Sequence, residues 1–96
     1  MLLNITGTSA KVKDLLTEAQ INRSKGNKNA WTNIQVIIQS DSATTEEVYI
    51  SFGEDAVVGE SLELLVWATL SFDEVDIADI NIISKTGANT VIIEFN

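Results

Sequence analysis

Short stretches of alternating apolar and polar residues recur along this 96-residue chain at intervals of about ten residues, with glycine, serine, asparagine and aspartate between them. Such alternation is typical of β-strands that bury one face, because successive side chains of a strand point to opposite sides. No repeated strand–helix–strand pattern is present, and that pattern would have indicated a parallel sheet covered by helices. The sequence therefore predicts an all-β fold, a small antiparallel β-sandwich or jelly-roll-like barrel with a short N-terminal helix.

Six stretches are predicted as strands, and the sequence also indicates how some of them continue or pair. Residues 69–72 are expected to continue the strand at 61–67 past a bend. The strands at 80–84 and 90–95 are expected to form a closing hairpin, because the five-residue loop between them places Gly87 where hairpins commonly need a positive φ. The predicted strands are 2–6, 33–39, 47–52, 61–67, 80–84 and 90–95.

The N-terminal third carries the helical signal of the chain. Val12, Leu15, Leu16 and Ala19 follow an i, i+3, i+4, i+7 spacing, which predicts a helix over residues 10–21 with Ser9 as its cap. A polar stretch follows at 22–29, which predicts an exposed loop. We therefore divide the chain into an N-terminal segment, residues 1–30, with a short helix and a basic loop, and a β-sandwich body, residues 31–96.

Composition excludes several classes of function. The chain has no histidine and no cysteine, which removes the usual general base, the commonest zinc ligands and any disulfide framework. No catalytic motif is present, so we expect a non-enzymatic protein that needs no cofactor. The N-terminus lacks the apolar core of a signal peptide, and no apolar run is long enough to span a membrane, so no membrane role is expected.

Charge is divided unevenly along the chain, whose net charge is −8. Residues 1–30 carry five cations and two anions, whereas residues 31–96 carry one cation and twelve anions. An acidic body repels nucleic acid, because binding requires lysine and arginine to neutralise phosphates, so no nucleic acid partner is expected. The basic loop is either a solvated surface or a contact for an acidic neighbour.

Two groups of carboxylates are candidate chemical sites. The acidic bend, Asp73, Glu74, Asp76 and Asp79, offers oxygen ligands to calcium, but its spacing is not that of an EF-hand loop, and a solvated acidic turn is the favoured interpretation. Glu54, Asp55 and Glu60 share one loop, but a paired-carboxylate glycosidase site needs a cleft lined with sugar-stacking aromatics. No metal or catalytic residue is therefore predicted.

Apolar residues on the outward faces of the strands predict self-association. Alternation places one set of side chains in the core, and a monomer that leaves the opposite set uncovered exposes an unusually large apolar area. We therefore expect a homo-oligomer, with a trimer or a pentamer favoured. The residues expected to face the core are Ile34, Val36, Ile38, Val48, Ile50, Phe52, Leu62, Leu64, Val66, Ile80, Ile82, Val91, Ile93 and Phe95. The predicted interface residues are Ile37, Tyr49, Leu65, Trp67, Ile83 and Ile92.

Residues 31–96 carry a resemblance to a known class of proteins. An alternating strand at 33–39 is followed by a polar loop, then by Val-Tyr-Ile-Ser-Phe-Gly at 48–53, Gly-Glu-Ser-Leu at 59–62 and two apolar strands around Lys-Thr-Gly-Ala-Asn at 85–89. This order resembles small β-sandwich structural proteins of tailed bacteriophages. The resemblance implies a virion protein, assembled in the host cytoplasm, that acts in capsid decoration or fibre attachment by contact with other virion proteins.

Two alternatives stay open at this point. Within the same class, the chain is a tail or neck component of the virion. In a different class, it is a carbohydrate-binding or adhesion module, in which Trp31 or Trp67 stacks on a sugar or fills a partner's pocket.

Overall fold

The computed structural model describes residues 1–17, 19–20 and 34–95 and confirms the predicted all-β fold. Within these residues, two four-stranded antiparallel sheets have the strand orders β1-β8-β3-β6 (sheet A) and β2-β7-β4-β5 (sheet B). The strands are β1 Leu2–Ile5, β2 Ala10–Lys11, β3 Ile34–Gln39, β4 Val48–Phe52, β5 Leu62–Leu64, β6 Thr69–Val75, β7 Ile80–Ser84 and β8 Asn89–Phe95, joined by a one-turn helix α1 Val12–Leu15 and a 3₁₀ turn Ile77–Asp79.

The core lies between the two sheets and is built from alternate residues of each strand. Val36 and Ile38 of sheet A and Ile50 and Ile82 of sheet B have at most 1% of their surface exposed. Most of the predicted core set is therefore confirmed. Phe52 and Leu62 are exceptions at 42% and 47% exposure, and Ile34, Val66 and Phe95 are only partly buried. The remaining fully buried side chains of this core include Leu3, Ile5, Val12, Val48, Leu64, Ile77, Ile80, Val91 and Ile93.

The predicted closing hairpin is wrong, because β7 and β8 belong to different sheets. β7 pairs with β2 and β4, whereas β8 pairs with β1 and β3. Residues 85–88 therefore form an arch that carries the chain from one sheet to the other. The physical reason is burial, because Ile82 and Ile93 are both covered in the one apolar core between the two sheets.

The strand at 61–67 is also shorter than predicted, and residues 69–72 do not continue it. β5 ends at Leu64, and a four-residue turn follows in which the Ala68 amide donates to the Leu65 carbonyl oxygen at 3.0 Å. β6 then pairs with β3 in sheet A. β6 runs to Val75 and includes Asp73 and Glu74, two of the four residues of the predicted acidic bend, and the pairing register shifts where Glu74 has a φ of 56°. This shift is a β-bulge on an edge strand.

The helix predicted within residues 10–21 is present in two pieces among the described residues, α1 and residues 19–20. Ala10 and Lys11 form β2, α1 makes one turn, and Leu16 is already extended. The predicted apolar stripe still faces inward in part, since Val12 and Leu16 are buried, whereas Ala19 is exposed. Residues 21–33, which include the predicted basic loop, lie outside the described residues.

The predicted capping role of Ser9 is wrong. The side-chain oxygen of Ser9 accepts a hydrogen bond from the Ala56 amide at 2.9 Å, and α1 has no side-chain cap.

β1 and β2 pair with β8 and β7, so the N-terminal segment is part of the sandwich.

Candidate interaction surface

Two of the six predicted interface residues are covered within the chain. Tyr49 and Ile83 are only 6% and 9% exposed, and they form a second apolar cluster with Ala56. Loop 53–61 brings Ala56 over the outer face of sheet B, where the bond from its amide to Ser9 holds it. The expectation that Tyr49 and Ile83 lie exposed is therefore wrong, because periodicity reports the direction of a side chain and not what a distant loop places over it.

The Tyr49 hydroxyl also has a partner within the chain. It donates to Glu63 Oε2 at 3.0 Å, and Glu63 is the residue opposite Tyr49 on β5. This hydrogen bond to the carboxylate, with smaller contributions from burial and nearby negative charge, raises the pKa of Tyr49. The bond ties β5 to β4.

Ile37 and Ile92 are half-buried on sheet A. Ile92 lies opposite Leu2 of β1, which is 53% exposed, and opposite Gln39 of β3. Ile37 and Ile92 therefore expose less apolar surface than the residues around β5 of sheet B.

Leu65 and Trp67 are exposed as predicted, and they lie in a stretch of the sequence that is rich in exposed apolar side chains. Among the described residues, six of the seven large apolar side chains with substantial exposure lie between positions 52 and 67. We call these six residues the β5 surface: Phe52, Val57, Val58, Leu62, Leu65 and Trp67. Within the described part of the chain β5 pairs with β4 alone, so its other edge presents unpaired backbone groups beside this surface.

Trp67 has the most unusual backbone of this surface. It is the third residue of the Leu65–Ala68 turn, its φ is 70°, and its side chain is 76% exposed. A left-handed conformation costs an L-residue with a side chain roughly 1 to 2 kcal/mol, so turns normally place glycine or asparagine there. Strained residues of this kind cluster at functional sites, which makes the exposed indole a candidate for recognition.

A groove of about 480 Å³ opens beside the β5 surface. Its apolar lining comes from Ile50, Phe52, Val57 and Leu62, and three carboxylate residues, Glu54, Asp55 and Glu60, also line it. The Phe52 ring packs edge-on against Phe72 with 5.0 Å between ring centroids, so it is not a free stacking platform for a sugar. We call this feature the acidic groove.

The acidic bend is divided between β6, which holds Asp73 and Glu74, and the 3₁₀ turn, which holds Asp79 and is capped by Asp76. Among the described residues, no group of three or more histidine, cysteine, aspartate or glutamate side chains is placed to hold a metal ion. Asp76 instead accepts a hydrogen bond from the Ala78 amide at 3.0 Å and caps the 3₁₀ turn.

A polar cluster that the sequence analysis missed is centred on Glu46. Its Oε1 accepts hydrogen bonds from the Ser84 hydroxyl at 2.6 Å, the Thr86 amide at 2.7 Å and the Gly87 amide at 3.1 Å, and its Oε2 accepts from the Thr86 hydroxyl at 2.6 Å. These bonds lower the pKa of Glu46 from 4.5 to about 2. The carboxylate therefore fastens the β7–β8 arch. The sequence shows Glu46 and the arch only as two polar stretches, and no local spacing connects them.

Comparison with known proteins finds no matching family model, no matching curated protein and no matching solved structure. None of the helices in residues 1–17, 19–20 and 34–95 is long and apolar enough to cross a membrane.

Proposed function

We propose that the protein is a non-enzymatic structural component of a tailed-bacteriophage virion, which acts by protein–protein assembly as a capsid decoration or fibre-attachment module. The observation that carries the assembly role is the β5 surface, six exposed large apolar side chains within positions 52–67, together with the edge of β5 that is unpaired among the described residues. The assignment to a virion rests on the resemblance of residues 31–96 to phage β-sandwich proteins.

The size of the β5 surface sets how strongly apolar contact alone can hold a partner. Complete burial of one large apolar side chain contributes roughly 1.5 to 3 kcal/mol, and these six are about half exposed, so covering them contributes about 5 to 9 kcal/mol. Association costs about 4 to 15 kcal/mol in lost freedom. Apolar contact alone therefore gives weak binding, and a stable complex also needs polar or charged contacts.

A carbohydrate-binding module is the second candidate, and the exposure of Trp67 is the observation that favours it. Its weakness is the surroundings of the indole, since Trp67 does not line the acidic groove. Glycan-array binding that is lost in Trp67→Ala and kept in Leu65→Ser would establish this alternative. A tail or neck position within the virion uses the same β5 surface and is distinguished by where the protein sits on the particle.

The test uses particles of a phage whose genome carries this reading frame. We expect the protein in density-purified virions, and we expect Leu65→Ser and Trp67→Ser to reduce its incorporation. The matched control is Leu2→Ser, which changes a residue of similar exposure on β1 of the other sheet. Purified particles that lack the wild-type protein would refute the virion role.

A further inference from the structure

The groove beside β5 carries three carboxylates that form no ion pair with a cation of the described residues. Glu54, Asp55 and Glu60 line it, and all three residues are exposed. The ion pairs among the described residues involve Glu94 and Glu47 only. A partner that covers the apolar lining must also compensate these carboxylates, because a charge removed from water without a partner is costly.

Like charges disfavour one way of covering the surface with a second copy. A symmetric dimer through the β5 surface brings the same patch of both subunits together. It would oppose two acidic grooves and place Glu63 of β5 near its own symmetry mate. A self-contact at this surface therefore has to use a different, basic part of the second copy.

The sequence contains one tract with the required chemistry. Between Ala19 and Ser40 there is no acidic residue, and Arg23, Lys25 and Lys28 lie in this interval together with Trp31. We call residues 22–31 the basic segment. It combines three cations with one large aromatic side chain, which matches a groove with three carboxylates and an apolar lining. The segment lies outside the described residues.

The strand edges differ in how well they accept an added segment. β6 is an edge strand of sheet A, as β5 is of sheet B. β6 carries the bulge at Glu74 and an exposed Asp73, and both features oppose pairing with a further strand. β5 has no such bulge in its register with β4, and exposed Leu62 and Leu65 lie at its two ends. An extended segment can therefore pair with the free edge of β5, as in β-strand addition.

Building on the proposed assembly role, we infer that the acidic groove and the β5 edge bind the basic segment of a second copy of this chain. Such a contact joins two different surfaces, so repeating it closes a ring when the rotation allows. This geometry agrees with the trimer or pentamer expected from the sequence. The salt-sensitive pairing of Arg23, Lys25 and Lys28 with the groove supplies the charged contacts that the apolar surface lacks.

The test compares two full-length variants by sedimentation at micromolar concentration. R23Q/K25Q/K28Q lacks the charge of the basic segment, and E54Q/D55N/E60Q lacks the charge of the groove. We expect a ring mass for the wild type and a much weaker association for each variant alone. Three exposed ion pairs together change a dissociation constant roughly 3- to 150-fold. K11Q/K13Q is the control, because it removes N-terminal charge elsewhere and should keep the wild-type mass.

An equimolar mixture of the two variants gives the sharpest outcome. One variant retains its groove and the other retains its basic segment, so we expect dimers and no larger species. A charge-swapped chain, R23E/K25E/K28E with E54K/D55K/E60K, should associate with itself and exclude the wild type. Circular dichroism melts confirm that every variant is folded.

Three results would overturn the inference. These are a wild type that stays monomeric on concentration, an oligomer whose mass is unchanged in both charge variants, and a synthetic peptide of residues 21–33 that fails to compete with assembly. Each of them leaves the proposed virion role to be judged separately, because that role depends on incorporation into particles and on Leu65 and Trp67.

Discussion

Gly7 is the position where a single added carbon should disturb this fold most directly. A Cβ there would lie 2.8 Å from the carbonyl oxygen of Thr86 and 3.2 Å from its carbonyl carbon, both of which are backbone atoms of the β7–β8 arch. The arch has little freedom to withdraw. The Ser84 amide donates to the Thr6 carbonyl oxygen at 2.8 Å, and Glu46 holds Thr86 through its amide and its hydroxyl.

Gly7→Ala is therefore expected to destabilise the protein by overpacking. Forcing a methyl group into a filled site costs typically 1 to 3 kcal/mol, and the lower entropy of the unfolded alanine chain returns about 0.4 to 1 kcal/mol. A net loss of about 1.5 kcal/mol lowers Tm by about 6 to 12 °C in a domain of this size. Thermal melts followed by circular dichroism measure the shift.

Gly87→Ala is the matched control, since it lies in the arch itself. An added Cβ at Gly87 meets no heavy atom within 4 Å, and no positive φ is present there. The same entropy gain applies without a clash, so its Tm should equal or slightly exceed that of the wild type. A Gly7→Ala protein that melts as high as Gly87→Ala would show that the close approach to Thr86 does not exist.

Three further predictions test individual features. Glu46 has a pKa of about 2 in the fold against 4.5 as its ordinary value, so its bonds stabilise the protein fully above about pH 4.5 and are lost as the pH falls toward 2. Glu46→Gln should therefore lower Tm at neutral pH and flatten the decrease of Tm over that interval. An unchanged dependence of Tm on pH would contradict the stabilising role of the Glu46 hydrogen bonds. Trp67→Gly should be about 1 kcal/mol more stable than Trp67→Ala, with a Tm 4 to 8 °C higher, because glycine adopts a φ of 70° without strain. A lower Tm for Trp67→Gly would show that the backbone at this position is not strained. A chelator should leave Tm unchanged, whereas a rise of several degrees on adding calcium would identify the acidic bend as a metal site.

Alternation in the sequence predicted which side chains face the core, but it did not predict which strands are neighbours. Ile82 and Ile93 were assigned correctly to the interior. Their strands were nevertheless assigned to one hairpin, because two apolar strands and a short loop look alike whether the chain folds back within a sheet or crosses to the opposite one. The choice here depends on long-range pairing, β7 with β4 and β8 with β3, which leaves no local trace.

The predicted exposure of the interface residues is right at some positions and wrong at others for a related reason. Leu65 and Trp67 are exposed because the turn after β5 leaves the sheet, whereas Tyr49 is covered because loop 53–61 folds back over it. That cover depends on a hydrogen bond between Ala56 and Ser9, which are 47 positions apart. Phe52 was expected in the core and is 42% exposed, since alternation gives the direction of a side chain but not whether it lies at the open end of the sandwich.

The features that make β5 a weak part of the isolated fold are the features that suit it to assembly. β5 has three residues and one neighbouring strand among the described residues, and the turn that follows it holds Trp67 in a conformation that costs roughly 1 to 2 kcal/mol. A partner that covers Trp67 and pairs with the free edge adds contacts only to the folded chain. Binding to the native state alone stabilises it by mass action, so under the proposed assembly role the stability of this fold rises with occupancy of the β5 surface.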